Sequence, residues 1–194
     1  MISPLPDAFA LPIPTRRFGR TELAMPVLSL GGMRFQQSWS DLPADQIEPA
    51  GQANLRAILE RSLAAGMHHI ETARHYGSSE RQLGDLLAAV PDPRRLLQTK
   101  VPPQADSGRF EAELITSAQR LRLAERGERI ELLSIHGINT AELLEQTLRP
   151  GGCLEVAQRW QAEGKVGQIG FSTHAPLPVI LEAIESDAFS YINL

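Results

Sequence analysis

The sequence predicts an α/β domain organised around a parallel sheet, and three observations carry that reading. Short apolar runs suited to strands alternate with longer stretches of helical spacing along most of the chain, the pattern of strand–helix–strand crossovers. Six strand runs follow one another, at residues 27–30, 67–72, 96–101, 130–136, 166–171 and 189–194. Polar residues or glycines recur at their C-terminal ends: Gly31-Gly32, Glu71, Lys100, His136 and Ser172-Thr173-His174. In a closed βα barrel these ends share one mouth, whereas in an open sheet they spread along an edge. The serial placement favours the barrel.

Each element has a local reason. Met1 to Pro14 is proline-rich and reads as an extended tail, leaving 15–194 as the folded part. Thr15 to Phe18, the turn material Gly19-Arg20-Thr21 and the apolar run Met25 to Leu30 suggest a hairpin followed by a strand. Residues 36–52 lack periodicity and read as a loop. Leu55, Ile58, Leu59 and Leu63 follow helical spacing from Asn54 to Ala65, and Gly66 suits the helix end. Met67 to Thr72 is a strand, and Ser79 to Val90 a helix with Leu83, Leu86 and Leu87 on one face, closed by Pro91 and Pro93. Leu96 to Val101 is a strand halted by Pro102-Pro103. Phe110 to Ala124 carries a helical stripe, and Ile130 to Ile135 is a strand ending at His136-Gly137. Helices follow at Thr140–Leu148 and Leu154–Ala162, then the strand Val166–Phe171, the helix Leu177–Glu185 and a last strand from Phe189.

Bulk properties exclude several classes of function. The 194 residues suffice for one domain with a sizeable core, and the apolar share of 42% and charged share of 22% are ordinary for a globular protein. A net charge of −4 supplies no electrostatic reason to bind nucleic acid or an anionic membrane. No apolar run approaches the roughly 18 residues of a membrane span, and the start lacks the basic and apolar regions of a signal peptide. The lone Cys153 rules out an internal disulfide framework. A cytoplasmic location is the expectation.

Familiar chemical motifs are few. Leu30-Gly31-Gly32-Met33 opens a loop and carries no Rossmann glycine pattern; there is no Walker phosphate loop and no paired-cysteine metal motif. His68, His69, Glu71 and His75 could suggest a metal, but on a strand His69 and Glu71 share a face while His68 points the other way, so no metal site is expected.

The run from Gly66 to Glu80, Gly-Met-His-His-Ile-Glu-Thr-Ala-Arg-His-Tyr-Gly-Ser-Ser-Glu, followed by Leu83-Gly84, resembles the signature of the aldo-keto reductase family. Further pieces are similar in the correct order: Arg17 to Thr21 to the opening hairpin, Leu28 to Phe35 to the first barrel strand, and Gln98-Thr99-Lys100 to the strand bearing the catalytic lysine. Ser134-Ile135-His136 resembles the strand bearing the histidine, and Glu163 to Ser172 the fifth strand. The resemblance implies a (β/α)8 TIM barrel of aldo-keto reductase type, with the first six strands present and an N-terminal β-hairpin before them. Since such barrels need about 250 residues, a fragment of a longer reductase is expected, one that binds NADPH poorly alone and whose full activity requires residues beyond Leu194.

The implied chemistry is hydride exchange between NADPH and a small-molecule carbonyl compound: an aldehyde, ketone or quinone. Tyr76 would be the general acid, Lys100 its tuning cation, the carboxylate at position 71 the balancing charge, and His136 the group that orients the carbonyl. The resemblance sets Gly32 and Met33 beside the nicotinamide ribose, and Ser172, Thr173 and Asn193 at the carboxamide. Taken singly the same residues have plainer readings. Tyr76 is a loop aromatic, Lys100 a solvated strand end, His136 a core histidine, and Ser172 and Thr173 are helix caps. Glu71 departs from the family's aspartate. Glu-Thr-Ala-Arg followed by Tyr-Gly resembles a bacterial branch whose members often carry a C-terminal ferredoxin-like segment, so an iron–sulfur cluster is expected only in a longer parent protein. A catalytically weak nicotinamide-binding sensor or interaction module on the same fold is the competing expectation.

Overall fold

The computed structural model describes residues 13–194, and residues 1–12 of the expected tail lie outside them. Two sheets form. Strands β1 (Thr15–Arg17) and β2 (Ala24–Pro26) pair antiparallel, with Thr15 opposite Pro26 and Arg17 opposite Ala24. The other sheet is parallel and six-stranded: β3 (Leu30–Gly31), β4 (His69–Glu71), β5 (Leu96–Val101), β6 (Ile130–His136), β7 (Val166–Ser172) and β8 (Tyr191–Asn193). Its spatial order is the sequence order. A doubly wound sheet must reverse direction at a switch point. This one never does, and it curls into a half-barrel.

Helices cover the outer face: α1 (Pro49–Ala64), α2 (Ser79–Leu87), α3 (Ser107–Arg120), the single turn α4 (Leu123–Arg126), α5 (Ala141–Leu148), α6 (Cys153–Ala162) and α7 (Leu177–Glu185). The two-residue period of the strands divides the buried residues between two cores. Leu97, Val101, Leu133 and Ile135 face the helices and pack with Leu59, Leu83, Leu87, Phe110 and Leu114. Leu132 faces the interior, where it meets Met25 of the hairpin and Tyr191 of β8. Helices α2 and α3 approach closely because position 84 is glycine; a Cβ there would lie 1.9 Å from the Arg120 carbonyl oxygen.

Three expectations need correction. The run expected as a strand through 27–30 is divided. Ala24–Pro26 belongs to the hairpin, Val27 and Leu28 are 49% and 55% exposed, and only Leu30–Gly31 enters the barrel sheet. Pro26 has no N–H to extend a ladder, and the Val27 N–H turns back to the Pro14 carbonyl at 3.0 Å. The expected loop 36–52 contains a short 3-10 turn at Ala44–Gln46 and the first residues of α1, which starts on Pro49, a residue preset for the first helical position. The helix expected over 110–124 begins earlier, at Ser107, with Asp106 accepting from the Gly108 N–H, and breaks at Arg122, whose φ is +52°.

Candidate active site

A cavity of about 300 Å³ opens at the C-terminal ends of the strands. Strands and their following loops deliver its side chains: Glu71 from β4, Tyr76 from the loop after it, Lys100 from β5, His136 from β6, Ser172 and Thr173 from the end of β7, and Asn193 from β8. Seven of the nine site residues expected from the sequence therefore meet in one space. Gly32 and Met33 are not among its lining residues. Gly32 is buried against β4, where a Cβ would fall 2.7 Å from the Glu71 carbonyl oxygen and 2.9 Å from Ser79 Oγ, and Met33 is 37% exposed.

Lys100 is the electrostatic centre. Its Nζ contacts the Glu71 carboxylate and donates to the Thr72 carbonyl at 3.1 Å and to Tyr76 Oη at 3.2 Å. The same nitrogen lies 4.7 Å from the centre of the Tyr76 ring. Burial pushes the Lys100 ammonium down to about 7, while the touching Glu71 carboxylate acts in the opposite sense and favours the charge. Burial also pushes the Tyr76 phenol up, so it holds its proton at neutral pH. His136 stands edge-on to Tyr76, ring centres 5.9 Å apart at 87°. Burial, then the charges of Lys100, His75 and His174, lower His136 to about 4. It is a neutral imidazole at neutral pH.

Beneath Lys100 lies a polar layer. His69 bonds Ser29 Oγ at 2.7 Å and Gln98 Oε1 at 2.9 Å. The Gln98 amide nitrogen donates to Ser134 Oγ at 2.9 Å and to Asn193 Oδ1 at 2.6 Å. Asn193 Oδ1 also accepts from Ser134 Oγ at 3.1 Å. Both acceptor sites of that oxygen are thereby taken, and the Asn193 NH2 group is left to donate into the cavity. His69 itself is lowered to about 4, chiefly by burial, with the Gln98 hydrogen bond opposing and the Lys100 charge assisting.

Ser172 and Thr173 do not cap α7, whose N-cap is Pro176 and carries no side-chain bond. They join β7 to the loop after β6. Ser172 Oγ accepts from the Gly137 N–H at 3.1 Å, and Thr173 Oγ1 donates to the Ile138 carbonyl at 2.6 Å. His68 turns to the opposite side of β4, where it pairs with Asp92 at 3.0 Å.

Sequence reasoning overlooked Ser29 and Gln98 and gave no part in the site to His69 or His174. The signal for His69 and Gln98 was available in strand parity, since each sits two residues before a residue expected in the site, Glu71 and Lys100. Ser29 comes from an irregular segment and left no such trace, while His174 stood only as the last member of the polar run after the strand at 166–171.

A family model described as the aldo/keto reductase family matches residues 27–189, and the chain belongs to that family. No curated protein matches it. Among solved structures it resembles a protein assigned to the aldo-keto reductases of Pseudomona aeruginosa, with 22% identity, 93% of this chain and 68% of that one covered, and a TM-score of 0.74. An aldo/keto reductase from Klebsiella pneumoniae in complex with NADP and acetate matches at 22% identity over 90% of this chain, with a TM-score of 0.65. A Klebsiella pneumoniae aldo-keto reductase in complex with NADPH matches at 20% identity over 91%, with a TM-score of 0.66. This chain spans 54% of each Klebsiella chain.

Proposed function

We propose that the cavity reduces the carbonyl group of a small aldehyde, ketone or quinone, with NADPH as hydride donor and Tyr76 as general acid. The observation that carries this reading is the Lys100 ammonium, 3.2 Å from the Tyr76 hydroxyl and in contact with Glu71. When bound, the nicotinamide supplies a hydride to the carbonyl carbon. The chain's own task is the proton. As negative charge develops on the carbonyl oxygen, Tyr76 Oη donates to it, and the phenolate left behind is stabilised by Lys100. Glu71 balances the lysine before the transfer. His136, neutral at working pH, offers one N–H to orient the carbonyl oxygen without competing for the proton.

The residues present suit a nicotinamide. Asn193 presents an NH2 group and no free acceptor, which matches a carboxamide oxygen. Ser172 and Thr173 border the same end of the cavity, while Gly32 and Met33 enter the reading through family resemblance only. NADPH oxidation followed at 340 nm with a panel of aldehydes and quinones tests the proposal. Tyr76→Phe is expected to lower kcat at least about a hundredfold, the usual worth of a positioned acid, with NADPH affinity unchanged. Equal rates for wild type and variant, or no NADPH-dependent reduction across the panel, would reject it.

A further inference from the structure

Glu80 is a fully buried carboxylate, 0% exposed, in the first turn of α2 and outside the cavity. Its two oxygens serve two different elements. Oε1 accepts from Thr99 Oγ1 at 2.6 Å, and Thr99 immediately precedes Lys100 on β5. Oε2 accepts from Arg74 Nη1 at 2.9 Å, and Arg74 stands two residues before Tyr76. The Arg74 backbone N–H in turn donates to the Lys100 carbonyl at 2.8 Å. Arg74 is held on its other sides by Asp41 at 2.5 Å and Glu113 at 2.8 Å, and Asp41 also contacts Arg120.

We infer that Glu80 is a positioning residue that sets the Tyr76–Lys100 contact, by tying the side chains of Thr99, next to Lys100, and Arg74, two residues before Tyr76, to one carboxylate. Burying a carboxylate is expensive, and a well-packed apolar residue would often be equally stable or more so. What an apolar residue cannot do is hold a hydroxyl on β5 and a guanidinium on the β4–α2 loop at a fixed separation. The bonds from Thr99 and Arg74 oppose the upward push that burial exerts on the Glu80 carboxyl. The brace matters at this spot because Tyr76 rides on a loop, while Lys100 is fixed in a central strand.

The inference rests on reading Tyr76 and Lys100 as the acid and its lysine. Its test reads lysine protonation and not turnover, so failure of the proposed reaction and failure of the brace are distinguishable. The chain has two lysines, Lys100 and Lys165, so [13C]lysine-labelled protein yields two side-chain NMR signals, assigned with Lys165→Arg. The groups facing the Lys100 nitrogen are Glu71, Tyr76 and the Thr72 carbonyl, with His69 and His136 nearby. Tyr76→Phe removes one of them and is expected to move the Lys100 titration midpoint by about half a pH unit or more in the otherwise wild-type protein, the size of a direct pairwise coupling. Thr99→Ser, which keeps the hydroxyl, should preserve that displacement; in Glu80→Gln and Thr99→Val it should fall to less than half. Should Glu80→Gln fail to fold, Thr99→Val, nearly isosteric and lacking one hydroxyl, decides between the outcomes. Equal displacement in all folded backgrounds, or none in wild type, overturns the brace.

Discussion

Lowering the pH from 7 to 5 strikes the floor of the cavity through His69. This imidazole is 5% exposed, bonded to Ser29 and Gln98, and held at about 4. In the unfolded chain it titrates near its ordinary 6.5. Between those two values the unfolded state binds the proton and the native state does not. Its contribution is therefore fully present above pH 6.5, is lost as the pH falls, and is exhausted below 4. At pH 5 the linkage relation makes the loss about 2 kcal/mol, roughly a thirtyfold rise in the unfolding equilibrium, against a ceiling of about 3.4 kcal/mol. Urea unfolding at pH 7, 6 and 5 measures it. His69→Gln, which keeps an amide nitrogen able to donate toward Gln98, is expected to be less stable than wild type at pH 7 but to lose about 2 kcal/mol less on going to pH 5. The same acid slope in both proteins, or a His69 ring signal titrating near 6.5 by NMR, would refute the reasoning.

Two further outcomes follow from the same geometry. Glu71→Gln removes the carboxylate that favours charge on Lys100, so the lysine midpoint should fall below its wild-type position; an unchanged or raised midpoint would mean that the contact carries no charge interaction. Gly77 has φ +52°, and a Cβ there would lie 1.8 Å from the Ser38 carbonyl oxygen. Gly77→Ala should cost about 1–3 kcal/mol in chemical denaturation by forcing the 35–42 segment off the Tyr76 loop, and a loss under about 0.5 kcal/mol would show that this clamp is loose.

Much of the fold was legible because strands and helices carry their own periods. The parity of β5 separates Leu97, Thr99 and Val101 from Gln98 and Lys100, and the alternation leading into β4 separates His68 from His69 and Glu71. Where the sequence misled, long-range contacts overrode local pattern. Val27 and Leu28 are apolar enough for a strand, but the backbone at Val27 bonds Pro14 and leaves the barrel sheet. The segment from Gln37 to Glu48 has no period, because it is shaped by the loop it grips. The Gln37 N–H donates to Ser78 Oγ at 3.1 Å, the Gln37 side chain accepts from the Glu48 N–H at 2.6 Å, and the Ser78 N–H reaches the Ser38 carbonyl at 3.4 Å. Of the site, Lys100, His136 and Glu71 were legible as polar residues at strand ends, and Tyr76 through the family resemblance alone. Parity sets Gln98 on the same face as Lys100, but its partners were not legible, since a glutamine in a strand looks the same whether it faces water or, as here, bridges His69 to Asn193.

That bridge explains why the interior is layered. At the bottom, Met25 from the hairpin, Leu132 and Tyr191 form an apolar plug. Above it, His69, Gln98, Ser134 and Asn193 bond one another, and above them Lys100 meets Glu71 and Tyr76. A lysine needs low polarity to be lowered toward neutrality and a nearby counter-charge to remain useful as a cation, and the two demands conflict in a uniform core. Layering reconciles them. The plug lies below, while the middle layer bonds mostly within itself, to Ser29 and to the Tyr191 hydroxyl, and brings no charge of its own, His69 being neutral above about pH 4. Lys100 is left to answer to Glu71 on one side and Tyr76 on the other. The hairpin is thus tied to the chemistry at the far end of the barrel: a polar substitution at Met25 would admit water beneath the middle layer and weaken the burial that shifts Lys100.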